Sequence, residues 1–585
     1  MTTIDRIFNW RFLLSITALL ALTLLAACGG AATEAPEPTA TSAAAAPTTA
    51  PVAQPTTAPA QPTAAPAAAA EPTEAPQTMV SDEPEGQLVL GLTSYGNEVP
   101  IPWQEIAFAK NYGRFIWDYV IGTTDDAQLS TETGLAESWT MAEDGLSWNF
   151  KLRQGVPFQN GEEFIAEDIK FALYQTMVIP EAPASYKNQL LCCVTENGID
   201  LVNDYEFNIR MDKPQIFLDW DLTDAQGNLG VPVDKSHYDA VGEDEYARNP
   251  IHTGVYQWTD HLKGDFIEMT YWGEHWREGV PLWESVLIKT IPEESTRIAA
   301  LKAGEVDVIN LSRERVTEIE EAGFRVYPRP GQAVIGFYFH QMWEDVPWAD
   351  IRVRKAMNIA IDRDEIVEFI FAGRGSPGIV YPMPLSGEVY GGWDRWGPKK
   401  DPYPYDPDGA RALLEEAGYG DGFSITMHSY PRPDAPEGPR MVEALAGYFE
   451  AIGIDVTIQP IDSATSIAER LAFNLSNTMT YLDAPNRPFP GFAGLMFGLE
   501  HSEGQGRSAE DPAFDATIEA MQETLDPVEA ERRFLAVYDY IYDNYIHLPV
   551  ANLDVSYAGS DRIHADWDRA WRSWEANYLD LVRRR

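Results

Sequence analysis

Residues 134–173, GLAESWTMAEDGLSWNFKLRQGVPFQNGEEFIAEDIKFAL, decide the fold class of this chain. A strand is expected around Glu137 to Met141, followed by a turn at Glu143-Asp144-Gly145. Trp148, Phe150 and Leu152 alternate along a second strand, Ser147 to Leu152, and share one face. Phe158 and Phe164 bracket another turn at Asn160-Gly161. A helix is expected from about Ala166, with Glu167 and Asp168 in the first turn, where the dipole favours negative charge. Trp139 and Trp148 read as core residues. A hairpin that feeds a helix is a unit of an α/β domain.

Upstream, Gln87 to Leu92 alternates like a first strand. Residues 105–121 are spaced for a helix whose buried stripe holds Ile106, Phe108, Ala109, Tyr112, Phe115, Ile116 and Tyr119. About 500 residues follow residue 86, too many for one core, so two or three domains are expected. With 45% hydrophobic and 11% aromatic residues in the whole chain, this part reads as globular.

The N-terminus has a different composition. Arg6 and Arg11 precede an apolar run from Phe12 to Ala27, too short to span a membrane and built like a secretory signal. It ends in Leu25-Ala26-Ala27-Cys28, which resembles a bacterial lipobox. That resemblance implies a lipid-accepting Cys28 and an anchor on the outer face of the cell membrane. Residues 31–80 are almost wholly Ala, Pro, Thr, Glu and Gln. Such a segment cannot bury enough apolar surface to offset its ordering entropy and serves as a tether, extended toward ~3.1 Å per residue by its prolines.

Net charge is −47; residues 1–27 carry Asp5, Arg6 and Arg11, a net +1, so removing them leaves −48. That acidity argues against nucleic acid and against electrostatic attachment to anionic lipid. Apart from Cys28 the cysteines are Cys192 and Cys193, either two free thiols or a strained vicinal disulfide. No cysteine-based metal site is possible. Neither G-x-S-x-G nor H-E-x-x-H occurs, so no enzyme is expected.

The 134–173 stretch closely resembles the signature of extracytoplasmic solute-binding proteins of the peptide/nickel class, family 5, which feed ABC importers. Glu137, Trp139, Asp144, Gly145, Arg153, Gly155, Val156, Phe158, Gly161, Glu167 and Asp168 fit it. The resemblance continues through Asn249-Pro250, Thr253-Gly254-Val255-Tyr256 and Tyr271-Trp272. It extends to RIAALKAGEVDV (297–308), DIRVRKAMNIAIDRDEI (350–366), DPDGARALLEEAGYGDGF (406–423) and the closing segment 541–549. Val255 stands where the family has proline.

Several of these motifs also have plain structural readings. Asp406-Pro407 caps a helix that ends near Gly418. Arg352, Arg354 and Asp362 fix a helix against its lobe, and His340 reads as a structural histidine.

The resemblance implies an α/β periplasmic-binding-protein type II fold: two lobes with a hinge, and a small extra domain inserted in lobe 1. Its boundaries would be 1–27 signal, 28–86 tether, 87–122 and 249–330 lobe 1, 123–248 insert, 331–545 lobe 2, and 546–585 closing lobe 1. The lobes would close on a di- or oligopeptide for an ABC permease with its cytoplasmic ATPase. A monomer without cofactor or bound metal is expected. In such proteins an aspartate of the second lobe holds the peptide ammonium, and Thr480-Tyr481-Leu482-Asp483-Ala484-Pro485 is the nearest match here. Asp483, with Tyr481, is therefore the expected anchor. Tyr95, Trp103 and Phe108 are expected beside the ligand in the first lobe. An oligosaccharide or metal chelate as ligand, or a sensor without transport, are the alternatives.

Overall fold

The computed structural model describes residues 84–564 apart from 95–96, 106–109, 125–127, 179–193, 224–226, 278–279, 381–399, 433–434, 486–488 and 505. The expected signal segment and nearly all of the tether lie outside these residues.

In the first lobe, Gln87–Leu92 runs parallel to Ser285–Thr290 on one side and Val308–Leu311 on the other. Leu88, Leu90 and Leu92 point into a core with Tyr112, Phe115, Ile116 and Ile288. On the other face Val89 packs with Ile298 and Leu301 of the helix Glu294–Ala303. A strand covered on both faces is what a parallel arrangement demands. Phe266–Tyr271 and Tyr256–Leu262 extend the sheet to its edge in antiparallel order.

Two long antiparallel strands, Arg325–Phe339 and His547–Gly559, run from this lobe into the second. One end of the pair meets Val308–Leu311, and the other meets Thr478–Pro485. Phe423–Ser429 and Ile454–Pro460 complete the second lobe in parallel order. Its sheet is packed on one side around Phe337, Met427 and Tyr481, and a separate cluster gathers Phe514, Val537 and Tyr538 from later helices. Where the lobes meet, the crossing strands lose register: Arg329 pairs with Val555 and Ala333 with Leu553, so residues 330–332 face Asp554 alone. Gly331 takes φ of 61° there, and its N–H donates to Asp554 Oδ1 at 3.0 Å. Such a bulge bends the strand locally, and a second register shift follows between Ile335 and Gly336, which pair with Ala551 and Pro549.

The 134–173 segment builds a small subdomain. Ala136–Met141, Ser147–Leu152, Glu206–Met211 and Val194–Asn203 form an antiparallel sheet in that order. Trp148, Phe150 and Leu152 are buried as their alternation required, against the helix Ala166–Val178. Asp168 does more than face the dipole: its carboxylate accepts from the N–H groups of Ile165 and Lys235, at 2.9 and 3.1 Å. Burial pushes its pKa up to about 7. The molecule is thus a two-domain α/β fold with a small extra subdomain. Among the described residues no helix is long and apolar enough to cross a membrane.

One expectation is corrected. Where residues 105–121 read as one helix, the described helix is Lys110–Ile116. The chain leaves it after Trp117, whose N–H still bonds the Gly113 carbonyl at 2.7 Å. The Ile116 carbonyl accepts from Gly254 N–H at 3.1 Å and Val120 N–H donates to the Gly230 carbonyl at 2.7 Å, so no helical bond joins Ile116 to Val120. Tyr119 is buried all the same.

The same contact explains two of the motifs. Gly254 lies against the backbone of Ile116 and Trp117, and its carbonyl accepts the indole N–H of Trp272 at 2.9 Å. The Thr-Gly turn and the Tyr-Trp pair are therefore one structural device. In the second lobe, Arg354 donates to the carbonyls of Trp348, Ala349 and Asn544, and Arg363 to those of Asn358 and Pro549. Asp350, Asp362 and Asp406 each cap a helix. These charges hold helices in place, as the sequence suggested. His340 is buried, with Nε2 2.7 Å from the Thr480 hydroxyl.

His252 opens the Thr-Gly turn and is buried, with Nε2 3.2 Å from the Trp117 indole nitrogen and 3.0 Å from the Pro100 carbonyl. Burial pulls its pKa down to about 3. A histidine of ordinary pKa ~6.5 in the unfolded chain takes up its proton first there, so its contribution is present above pH ~6.5 and fades as pH falls. Between pH 7 and pH 5 this one group should cost about 2 kcal/mol. Urea unfolding of the protein and of His252→Gln should show a stability difference that shrinks by that amount. A difference independent of pH would mean that the imidazole is not held neutral.

Candidate functional site

Ligands of open α/β sheets sit beyond the carboxyl ends of the strands. At that edge lies a cavity of about 480 Å³ walled by both lobes and by the strand that joins them. Its first-lobe wall includes Thr93, Ser94, Asn111, Arg297 and Asn310 together with the charged Glu293, Glu294 and Arg313. Pro431, Arg432 and Pro436 come from the second lobe, and Asp554, Val555 and Ser556 from the crossing strand.

The first-lobe wall is rigid. Asn310 donates through Nδ2 to Thr93 Oγ1 at 2.8 Å and accepts the Thr93 N–H at 3.2 Å, which ties two neighbouring strand ends together. Arg297, on the helix Glu294–Ala303, is buried. Its Nη1 donates to the carbonyls of Ile291 and Pro292 at 2.8 and 2.7 Å, and its Nε to that of Asn310 at 3.3 Å. Burial lowers its pKa from the ordinary value. Glu294 is already engaged, accepting from the Ser312 amide at 2.6 Å and hydroxyl at 2.8 Å.

Beside the cavity the lobes are joined by an ion pair. Arg313 Nη1 lies 3.0 Å from Glu437 Oε2, and the two side chains are only 3% and 4% exposed. A second pair across the same boundary, Arg440 with Glu314 at 3.0 Å, is exposed and contributes little. The cavity thus holds charges of both signs between two bodies that share a bent pair of strands. That arrangement can enclose and orient a polar solute. Among the described residues no group of three His, Cys, Asp or Glu could hold a metal ion.

Of the residues expected at the ligand, Tyr95 and Phe108 lie outside the described residues, as do Cys28, Cys192 and Cys193. Trp103 is fully buried between Phe171 and Tyr238. Tyr481 is fully buried too, its ring stacked on Tyr430 at 4.6 Å, and each hydroxyl donates to the other residue's carbonyl. The structure places both rings in cores, not on the cavity wall. Their bulk is worth more as buried apolar area than as a surface. Asp483 is placed by its backbone, on Thr478–Pro485 opposite Ile335. Arg297, Asn310, Arg432, Asp554 and Ser556 are cavity residues that the sequence did not single out. Only Arg297 had a signal, since it begins the RIAALKAGEVDV motif; the others become neighbours through pairing of distant strands.

Comparison with known proteins agrees with this architecture. The model of the bacterial extracellular solute-binding proteins, family 5 (middle), matches residues 130–498. The glutathione-binding protein GsiB of Escherichia coli K12 is 23% identical over 466 residues, covering 76% of this chain and 84% of that protein. The periplasmic binding protein DppA from Helicobacter pylori, solved with the peptide STSA, superposes with a TM-score of 0.70 at 20% identity, covering 84% of this chain and 98% of that one. NikA from Brucella suis, solved with Fe(III)-EDTA, gives a TM-score of 0.68 at 21% identity, covering 81% and 96%. At these identities the superpositions establish the fold alone. With the family match spanning well over half its length, the chain belongs to the bacterial extracellular solute-binding proteins, family 5, and binds a solute without acting as an enzyme.

Proposed function

We propose that this protein is a lipid-anchored extracytoplasmic receptor that captures a di- or oligopeptide and delivers it to an ABC permease driven by a cytoplasmic ATPase. Cys28 carries the lipid, residues 28–86 form the tether, and the fold is of periplasmic-binding-protein type II, with the domain boundaries given above. The observation that carries the reading is the cavity between the lobes, where Arg297 and Asp554 face solute space with no ion pair to another described residue. A peptide brings a charge of each sign. The bulge opposite Asp554 is the natural pivot, because closure there bends two strands while both cores stay rigid. A glutathione-binding relative and a peptide-bound structural neighbour favour the same ligand class.

Asp483 remains the proposed partner of the peptide ammonium, with Tyr95 and Phe108 beside the ligand in the first lobe; Trp103 and Tyr481, enclosed in cores, are no longer part of the proposed site. Mass spectrometry of solute released on denaturing natively purified protein tests the ligand class. A peptide should be recovered, and Asp483→Ala should then weaken its rebinding by about 2 kcal/mol or more. Recovery of an oligosaccharide or a metal chelate would retire the peptide reading and Asp483 with it.

A further inference from the structure

We propose that Arg297 and Ser556 form an anion subsite in the cavity, which takes a carboxylate of the solute; the inference rests on reading this cavity as the solute site. Arg297 is only 5% exposed, and three of its five N–H bonds are spent on the neutral carbonyls of Ile291, Pro292 and Asn310. Those bonds fix the plane of the guanidinium. They leave Nη2 with no partner among the described residues, and none of these acceptors brings a counter-charge. The acids around it are Glu294, held by Ser312, and Glu293 and Asp554, which also line the cavity; among the described residues none of the three is hydrogen-bonded to the guanidinium. A desolvated cation fixed in this way favours an anionic partner, and a guanidinium suits a carboxylate best.

Ser556 supplies the second observation. It is 1% exposed, it lines the same cavity from the crossing strand, and its hydroxyl has no hydrogen-bond partner among the described residues. Buried hydroxyls are almost always paired, because an unmade bond costs the full desolvation of the group. A carboxylate gives the hydroxyl an acceptor and the guanidinium a counter-ion at once. A water molecule would satisfy the hydroxyl but not the charge. The solute class follows: a molecule with a free acid group, for which the amide or ester of the same molecule is a poor substitute.

The test uses the full chain and two probes, a mixed tripeptide library as free acids and the same library as C-terminal amides. Affinity is read from thermal shifts across a concentration series. The free acids should bind at least tenfold more tightly than the amides. Ser556→Ala and Arg297→Lys should each lower the acid-to-amide affinity ratio toward one. That change in the acid-to-amide ratio is one that a merely structural residue would not produce. A ratio near one in the wild type, or one that both variants preserve, overturns the subsite and leaves the peptide reading standing. If neither library binds, the peptide reading has failed, and the subsite is judged on acetate and sulfate titrated at constant ionic strength. Stabilisation of the wild type beyond that of Ser556→Ala sustains it; equal responses overturn it. Should Arg297→Lys not fold, the smaller Ser556→Ala change carries the comparison alone.

Discussion

Gly254→Ala is expected to destabilise the first lobe by about 3 kcal/mol or more, although it adds a single methyl group. A Cβ at this position would lie 2.2 Å from the carbonyl carbon of Ile116, 2.3 Å from its oxygen and 2.6 Å from Trp117 N. All three are backbone atoms, so no side chain can rotate away. Nor can the turn retreat cheaply. Gly254 N–H donates to Ile116 O, and its own carbonyl holds the Trp272 indole. Any shift that relieves the clash lengthens both bonds and disturbs the exit from Lys110–Ile116 toward the small subdomain. Gly447→Ala is the control, since a Cβ there meets nothing within 4 Å in the helix Gly438–Ala451. That change should be neutral or stabilising by up to ~1 kcal/mol, because alanine is the better helix former. Urea midpoints for the two variants check the contrast. Equal, small effects would refute the argument from close backbone approach.

Glu437→Ala should be the second large effect, at about 3 kcal/mol. It removes the carboxylate facing Arg313 across the lobe boundary while the guanidinium stays buried. The cost comes mainly from that uncompensated charge, since the pair itself contributes little net stability once the desolvation of both ions is counted. Replacing both members, Arg313→Met with Glu437→Leu, should therefore recover most of the loss. Thermal unfolding of the two single variants and the double variant measures this coupling. If Glu437→Ala melts with the wild type, the pair is not desolvated in solution. The exposed partner across the same boundary gives an internal comparison: Arg440→Ala should change stability by well under 1 kcal/mol.

Much of the fold was legible because its signals are local. Alternation in Ser147–Leu152 needs only neighbours in sequence to specify which face is buried. The caps at Asp350, Asp362 and Asp406 act within a few residues of themselves. The family motifs proved to be structural joints, such as Gly254 with Trp272, which is why they are recognisable without knowledge of any ligand. Local periodicity misled at residues 105–121, where the apolar stripe ran on past Ile116. The competing hydrogen bond from Gly254 comes from 138 residues further along the chain, and no helical pattern contains it.

The candidate site was far less legible. Tyr481 and Trp103 are expected at the ligand from the family resemblance, and aromatic side chains suit both cores and clefts. Only burial separates the two uses, and here both rings are enclosed. Asp554 and Ser556 sit in an ordinary-looking strand, yet the first faces the register break at 330–332 and the second lines the cavity. The sequence by itself determined the fold class, the hairpin-and-helix subdomain and the family, since alternation, turn chemistry and caps are interactions between near neighbours. The tertiary structure alone decided which polar and charged groups meet at the cavity between the lobes, because Arg297, Arg432, Asp554 and Ser556 share it only after strands hundreds of residues apart have paired.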